Sequence, residues 1–194
     1  MTWVDPIVLV LVVAIAVSVA RGGRLANLTE IRLRVWWLLF LGLGMQIVAN
    51  QLPDGADELA VGLILGSYLP LLLVVALNRS EPGMWIAAIG ILMNFTVIAA
   101  NGGMPVSGEA AVLAGAESPE LILDAKHGQL DTDSRLVFLA DVIPVPVLRQ
   151  VISLGDVFLA LGLAVFLEAQ LRRPIHWFRH GGRGTPGSAT ELQH

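Results

Sequence analysis

Leu59-Ala60-Val61-Gly62-Leu63-Ile64-Leu65-Gly66-Ser67-Tyr68-Leu69-Pro70-Leu71-Leu72-Leu73-Val74-Val75-Ala76-Leu77 carries no charge from end to end. As an α-helix rising 1.5 Å per residue it would reach about 28 Å, close to the ~30 Å hydrocarbon core of a bilayer. Residues 84–100 read the same way, with Asn94 the one amide side chain inside the run. The whole chain agrees: 55% of its 194 residues are hydrophobic, only 14% are charged, and the mean hydropathy is +0.73. Soluble domains carry about 25% charge, so the surplus apolar surface calls for lipid. The expected class is an all-α, polytopic membrane helical bundle.

Three further apolar runs, 4–20, 35–50 and 151–171, bring the expected number of transmembrane helices to five, in one domain over residues 1–180. The first run could be a cleavable signal peptide, with Ser18-Val19-Ala20 as its cleavage site. Its flanks favour a retained helix, because Asp5 precedes it and Arg21 and Arg24 follow. Pro6 suits a first helical turn, where its missing donor is not needed. Pro70 should kink the third helix, and Gly62 and Gly66 form a G-x-x-x-G pair through which a homo-oligomer could pack.

Residues 101–150 form a long outer loop, acidic and rich in small residues, with short helices plausible around 109–117 and 119–125. Within it Pro144 and Pro146 break an apolar piece, 136–148, too short to span. That piece is expected to be interfacial or re-entrant. The tail, 181–194, is Gly-, Ser- and Thr-rich and reads as disordered.

Orientation follows the arginines. Arg21, Arg24, Arg32, Arg34, Arg79, Arg172, Arg173, Arg179 and Arg183 fall in alternate segments; the others hold only Lys126, Arg135 and Arg149. Positive charge stays inside, which places the N-terminus outside and the C-terminus in the cytoplasm of a bacterial plasma membrane.

On this topology the polar side chains gather in the outer leaflet. Gln46, Asn94 and Asn101 sit late in outward-running helices, Ser153 and Asp156 early in an inward-running one, and Tyr68 near mid-depth. These six are the candidate ligand-binding residues. Asp156 has two readings: a ligand for a cation or polar headgroup, or a first-turn acid serving its own helix N-terminus. Ser153-Leu154-Gly155-Asp156 has the spacing of a capping box. Asn101-Gly102-Gly103 could be an anion nest or a plain helix stop. His127, Asp141 and Asp156 are the candidate acid–base groups should the protein be an enzyme.

Several chemistries are excluded. With no cysteine there are no disulfides, thiol nucleophiles or iron–sulfur clusters. No histidine lies within a span, which argues against haem b. No metal site, cofactor or nucleic-acid-binding patch is expected, and no Walker, Gly-x-Ser-x-Gly or His-Glu-x-x-His pattern is present.

Arg21-Gly22-Gly23, Asn101-Gly102-Gly103-Met104-Pro105, Lys126-His127, Leu139-Ala140-Asp141-Val142-Ile143-Pro144-Val145-Pro146 and Ser153-Leu154-Gly155-Asp156 form a recognisable set. In these the chain resembles a family of small bacterial multi-pass membrane proteins of unknown function. The resemblance implies the same membrane architecture and no particular substrate. Three roles remain: binding or passing a small polar, ionic or lipid-like ligand; catalysis on a lipid-linked substrate; or an accessory place in a membrane complex.

Overall fold

A computed structural model of the chain describes residues 6–53, 55–116 and 127–173. Five apolar segments become helices, and each ends where the backbone chemistry requires. The first, α1 (Pro6–Ala20), stops at Gly22, whose φ of +92° lets the Gly23 amide close back on the Ser18 carbonyl at 2.8 Å. Gly102 plays the same part for α4 (Met84–Asn101): its φ is +71° and its amide donates to the Ile98 carbonyl at 2.9 Å. The Asn-Gly-Gly motif is therefore a helix stop.

Between them lie α2 (Trp37–Ala49) and α3 (Asp57–Leu77). Asp57 and Glu58 in the first turn of α3 complement its dipole, and the helix continues through Pro70. The last helix, α6 (Leu154–Leu171), begins three residues later than expected, because Gln150–Ile152 belongs to a strand.

The helices lie side by side in the order α1, α6, α4, α3, α2. The Arg24 amide bonds the Leu171 carbonyl, the Arg34 amide bonds the Asn78 side chain, and Glu81 bonds Gln170 and Arg173. The ends of α1, α3 and α6 and the starts of α2 and α4 thus share one end of the bundle. α4 and α6 pack closest. A β-carbon on Gly90 would stand 2.5 Å from both the Gly155 carbonyl oxygen and the Leu159 nitrogen. Such backbone contact gives the dispersion energy that holds helices together where lipid competes for every apolar surface.

The all-α, five-span expectation needs correction in two respects. Three helices, α3, α4 and α6, are long and apolar enough to cross a membrane. The described part of α1 has 15 residues and α2 has 13, about 20 Å for the latter, short of a ~30 Å core. α2 starts late because Val35 takes a φ of +53°, which no helix accommodates.

The second correction concerns the 101–150 loop, which contains strands. β1 (Met104–Val106) pairs in parallel with β2 (His127–Gln129), and β3 (Ile143–Val145) pairs antiparallel with β4 (Gln150–Ile152). The proline-broken piece, expected to be interfacial or re-entrant, is a 3-10 turn (Val137–Leu139) followed by the first strand of a β-hairpin. Pro144 and Pro146 bar a helix, and a two-stranded ribbon tolerates the missing donors. A short helix, α5 (Gly108–Leu113), is capped by Ser107, whose Oγ accepts the Ala110 amide at 3.2 Å. Together these elements form a cap over one end of the bundle. The expected helix at 119–125, Lys126 and the tail 181–194 lie outside the described residues.

Candidate functional site

Beneath the cap, α4 and α6 are joined by a ring of three side chains. Ser153 is the N-cap of α6; its Oγ accepts the Asp156 amide at 3.0 Å, and Asp156 Oδ2 accepts the Ser153 amide at 3.1 Å. This is the capping box that the spacing predicts. Across the interface Asn94 Nδ2 donates to Asp156 Oδ1 at 2.7 Å, and Ser153 Oγ donates to Asn94 Oδ1 at 2.9 Å. Both carboxylate oxygens accept hydrogen bonds, at the positive end of the α6 dipole. The charge is met by the protein itself, which matches the helix-cap reading of Asp156.

The other candidates keep different company. Tyr68, 5% exposed, lies edge-on to Phe95. Gln46 is engaged elsewhere: its Nε2 donates to Ser67 Oγ at 3.0 Å, joining α2 to α3. Asn101 joins bundle to cap, accepting the Arg135 amide at 2.7 Å and donating to the Val97 and Arg135 carbonyls at 2.8 and 2.9 Å. Asp141 is buried beside β1, where its amide bonds the Pro105 carbonyl at 2.9 Å. His127 is in β2, on the opposite edge of β1; its side chain lies outside the described residues.

An open cleft of about 540 Å³ lies between the start of α3, the end of α4 and the cap. Its walls include Asp57, Val61, Asn101, Asp131, Asp133 and Arg135. Asp131 Oδ1 accepts the Ser134 hydroxyl at 2.8 Å and the Asp133 amide at 3.0 Å. The Ser134 hydroxyl above all holds its carboxyl below the usual range, so it is charged at neutral pH. Among the described residues the Arg135 guanidinium enters no ion pair. Of the candidate ligand-binding residues, only Asn101 reaches this cleft. Asp57, Asp131, Asp133 and Arg135 were not foreseen, although the sequence shows the acids crowded into segments placed outside.

Residues 30–168 match the family model described as "Family of unknown function (DUF5317)". The chain belongs to this family. DUF5317 is, as expected, a family of unknown function, and the matched span contains the whole ring and every cleft residue named above. A protein of Thermotoga maritima, described as an uncharacterized protein, is 36% identical over 110 residues, covering 55% of this chain and 62% of the relative. The chain thus spans less than two-thirds of that relative's length. No solved structure matches.

Chemically, this DUF5317 chain presents two different polar features. The ring is buried and internally bonded, and it fastens two helices. The cleft is open, lined by carboxylates and one arginine, and sits where the bundle meets solvent. Among the described residues no group of three or more His, Asp or Glu is arranged to hold a metal ion.

Proposed function

We propose that the protein resides in the bacterial plasma membrane, N-terminus outside and C-terminus in the cytoplasm, and that its outer cleft binds a small polar molecule carrying positive charge. On this reading α3, α4 and α6 cross the bilayer and the shorter α1 and α2 lie in it beside them. The arginines support this orientation: Arg21, Arg24, Arg32, Arg34, Arg79, Arg172 and Arg173 flank the helix ends that share the end away from the cap. One observation carries the binding reading: membrane helices and cap together wall a cleft of about 540 Å³ that presents Asp57, Asp131 and Asp133. The closed ring favours binding at the rim over passage through the bundle, because the ring's polar groups are bonded to one another.

Thermal unfolding in mild detergent, run against a panel of small amines, amino acids and inorganic cations, tests the proposal. At least one cation should raise the midpoint saturably, and the Asp57→Asn/Asp133→Asn double variant should lose that response. No response from the panel, or an equal response from the variant, would refute it. Because the chain has no cysteine, single cysteines at positions 134 and 80 can report orientation. An impermeant maleimide on intact cells should label the first and spare the second.

A further inference from the structure

The arginines at the inner end fall into two sets. Arg21 and Arg172 pair with Glu168, at 2.8 and 3.5 Å, and Arg173 pairs with Glu81. Among the described residues Arg24, Arg32, Arg34 and Arg79 enter no ion pair. Three of these four are gathered by Asn78. Its Oδ1 accepts the Arg34 amide at 2.9 Å, and its Nδ2 donates to the Arg34 carbonyl at 3.1 Å and the Val74 carbonyl at 2.7 Å. Arg79 follows Asn78 in the chain, and Arg32 lies two residues before Arg34.

Val35 then turns the chain at a φ of +53°, a conformation that β-branched residues avoid. Beyond it Trp36 and Trp37 project outward, 58% and 56% exposed, with Phe40 edge-on to Trp36. The result is a ledge of exposed arginines, unpaired among the described residues, that leads along the chain into exposed indole rings. It is held in place by a buried asparagine and a strained residue, so its shape is set in advance.

We propose that this ledge seats the headgroup of an anionic phospholipid of the inner leaflet. Charge complementarity selects the occupant: three cations without partners among the described residues stand where an apolar helix enters the bilayer, and anionic headgroups are concentrated at that depth. Trp36 and Trp37 occupy the layer that amphipathic rings prefer, leaving the acyl chains to lie along the exposed face of α2 at Phe40, Leu43 and Ile47. The seat lies at the opposite end of the bundle from the cleft, so its failure would leave the cleft reading untouched.

Native mass spectrometry of the full chain in neutral detergent, titrated with phosphatidylglycerol or with phosphatidylcholine, reads the seat out directly and does not depend on orientation. Phosphatidylglycerol should bind more tightly, by about fivefold for each arginine engaged. Arg32→Gln/Arg34→Gln/Arg79→Gln should lose that preference, while the corresponding triple lysine variant keeps most of it. Asn78 grips the backbone of Arg34, so these side-chain changes leave the clamp in place, and an unchanged thermal midpoint would confirm that the variants fold. Arg172→Gln removes one positive charge from the same end but outside the seat, and should bind as the parent does. Equal binding of the two lipids, undiminished binding by the triple glutamine variant, or an equal loss in Arg172→Gln would each overturn the assignment.

Discussion

The side-chain amide of Asn94 on α4 occupies the space that a β-carbon on Gly155 of α6 would fill. The glycine is what admits the amide to the α6 N-terminus, and the amide in turn holds the Asp156 carboxylate. Gly155→Ala should therefore expel Asn94 and open the ring, costing about 2–5 kcal/mol from overpacking and lost hydrogen bonds together. Gly62→Ala is the natural comparison, since a β-carbon there meets nothing within 4 Å. It should be neutral or slightly stabilising. Unfolding of both variants in detergent decides the matter; a neutral Gly155→Ala would contradict this account of the interface.

The ring also predicts a rescue. Asp156→Asn replaces one acceptor by a donor, setting it against either Asn94 Nδ2 or the Ser153 amide, at a cost of about 1–3 kcal/mol. Asn94→Asp alone brings two carboxylates together and should be worse. Combining Asn94→Asp with Asp156→Asn moves the carboxylate to α4 and the amide to α6. The relocated carboxylate can then accept from both the relocated amide and the Ser153 hydroxyl, so the double variant should be more stable than either single one. A double-mutant cycle that comes out additive would show that the three groups do not act as a unit.

Asn101 acts as a strand partner for a single residue, bonding both the amide and the carbonyl of Arg135. Its truncation to alanine should free that backbone. Hydrogen exchange at residue 135 should then accelerate at least tenfold, matching the loss of about 1.4 kcal/mol or more of local protection. The amides in the middle of α4 should be unaffected. Uniform acceleration across the chain would instead mean that the clamp supports the whole fold.

The Asp131 turn gives a pH dependence with a definite sign. Its carboxyl titrates below the free value of 3.8 in the folded chain, chiefly because Ser134 donates to it. The stability it lends to the turn is complete above that value and fades as pH falls through the lower, folded value. Proton exchange or chemical-shift titration of residues 131–135 should show the turn loosening only in that acid range, and Ser134→Ala should raise the carboxyl toward 3.8.

How much of this was legible beforehand depends on the kind of signal. Helix cores such as 59–77 and 84–100 announce themselves by length and apolarity, and Ser153-x-x-Asp156 specifies its cap by local spacing alone. The link between Asn94 and Asp156 followed from topology, since both fall in the same half of antiparallel helices. The strands of the cap did not show. β1 and β2 have three residues each and pair across more than 20 positions of sequence, so no periodicity marks them. The glycine seam inside the bundle, Gly90, Gly155 and Gly162, did not show either. It is split between two helices far apart in sequence, whereas a G-x-x-x-G pair advertises itself on one. The cleft shares that difficulty: Asp57 and Arg135 meet only after the cap has folded back.

The brevity of α2 has a consequence for the surrounding lipid. Its 13 residues rise about 20 Å, while the 21 residues of the adjacent α3 rise about 31 Å. If α2 lies in the bilayer beside α3, as proposed above, a membrane of uniform thickness cannot match both, and the leaflets pinch along the α2 flank or the bundle leans. Reconstituted into nanodiscs of graded acyl length, the protein should therefore be most stable in membranes thinner than α3 alone would choose. An optimum at the full length of α3 would mean that residues flanking α2 take up the difference. The molecule would, on this account, deform its membrane most on the side where the arginine ledge stands.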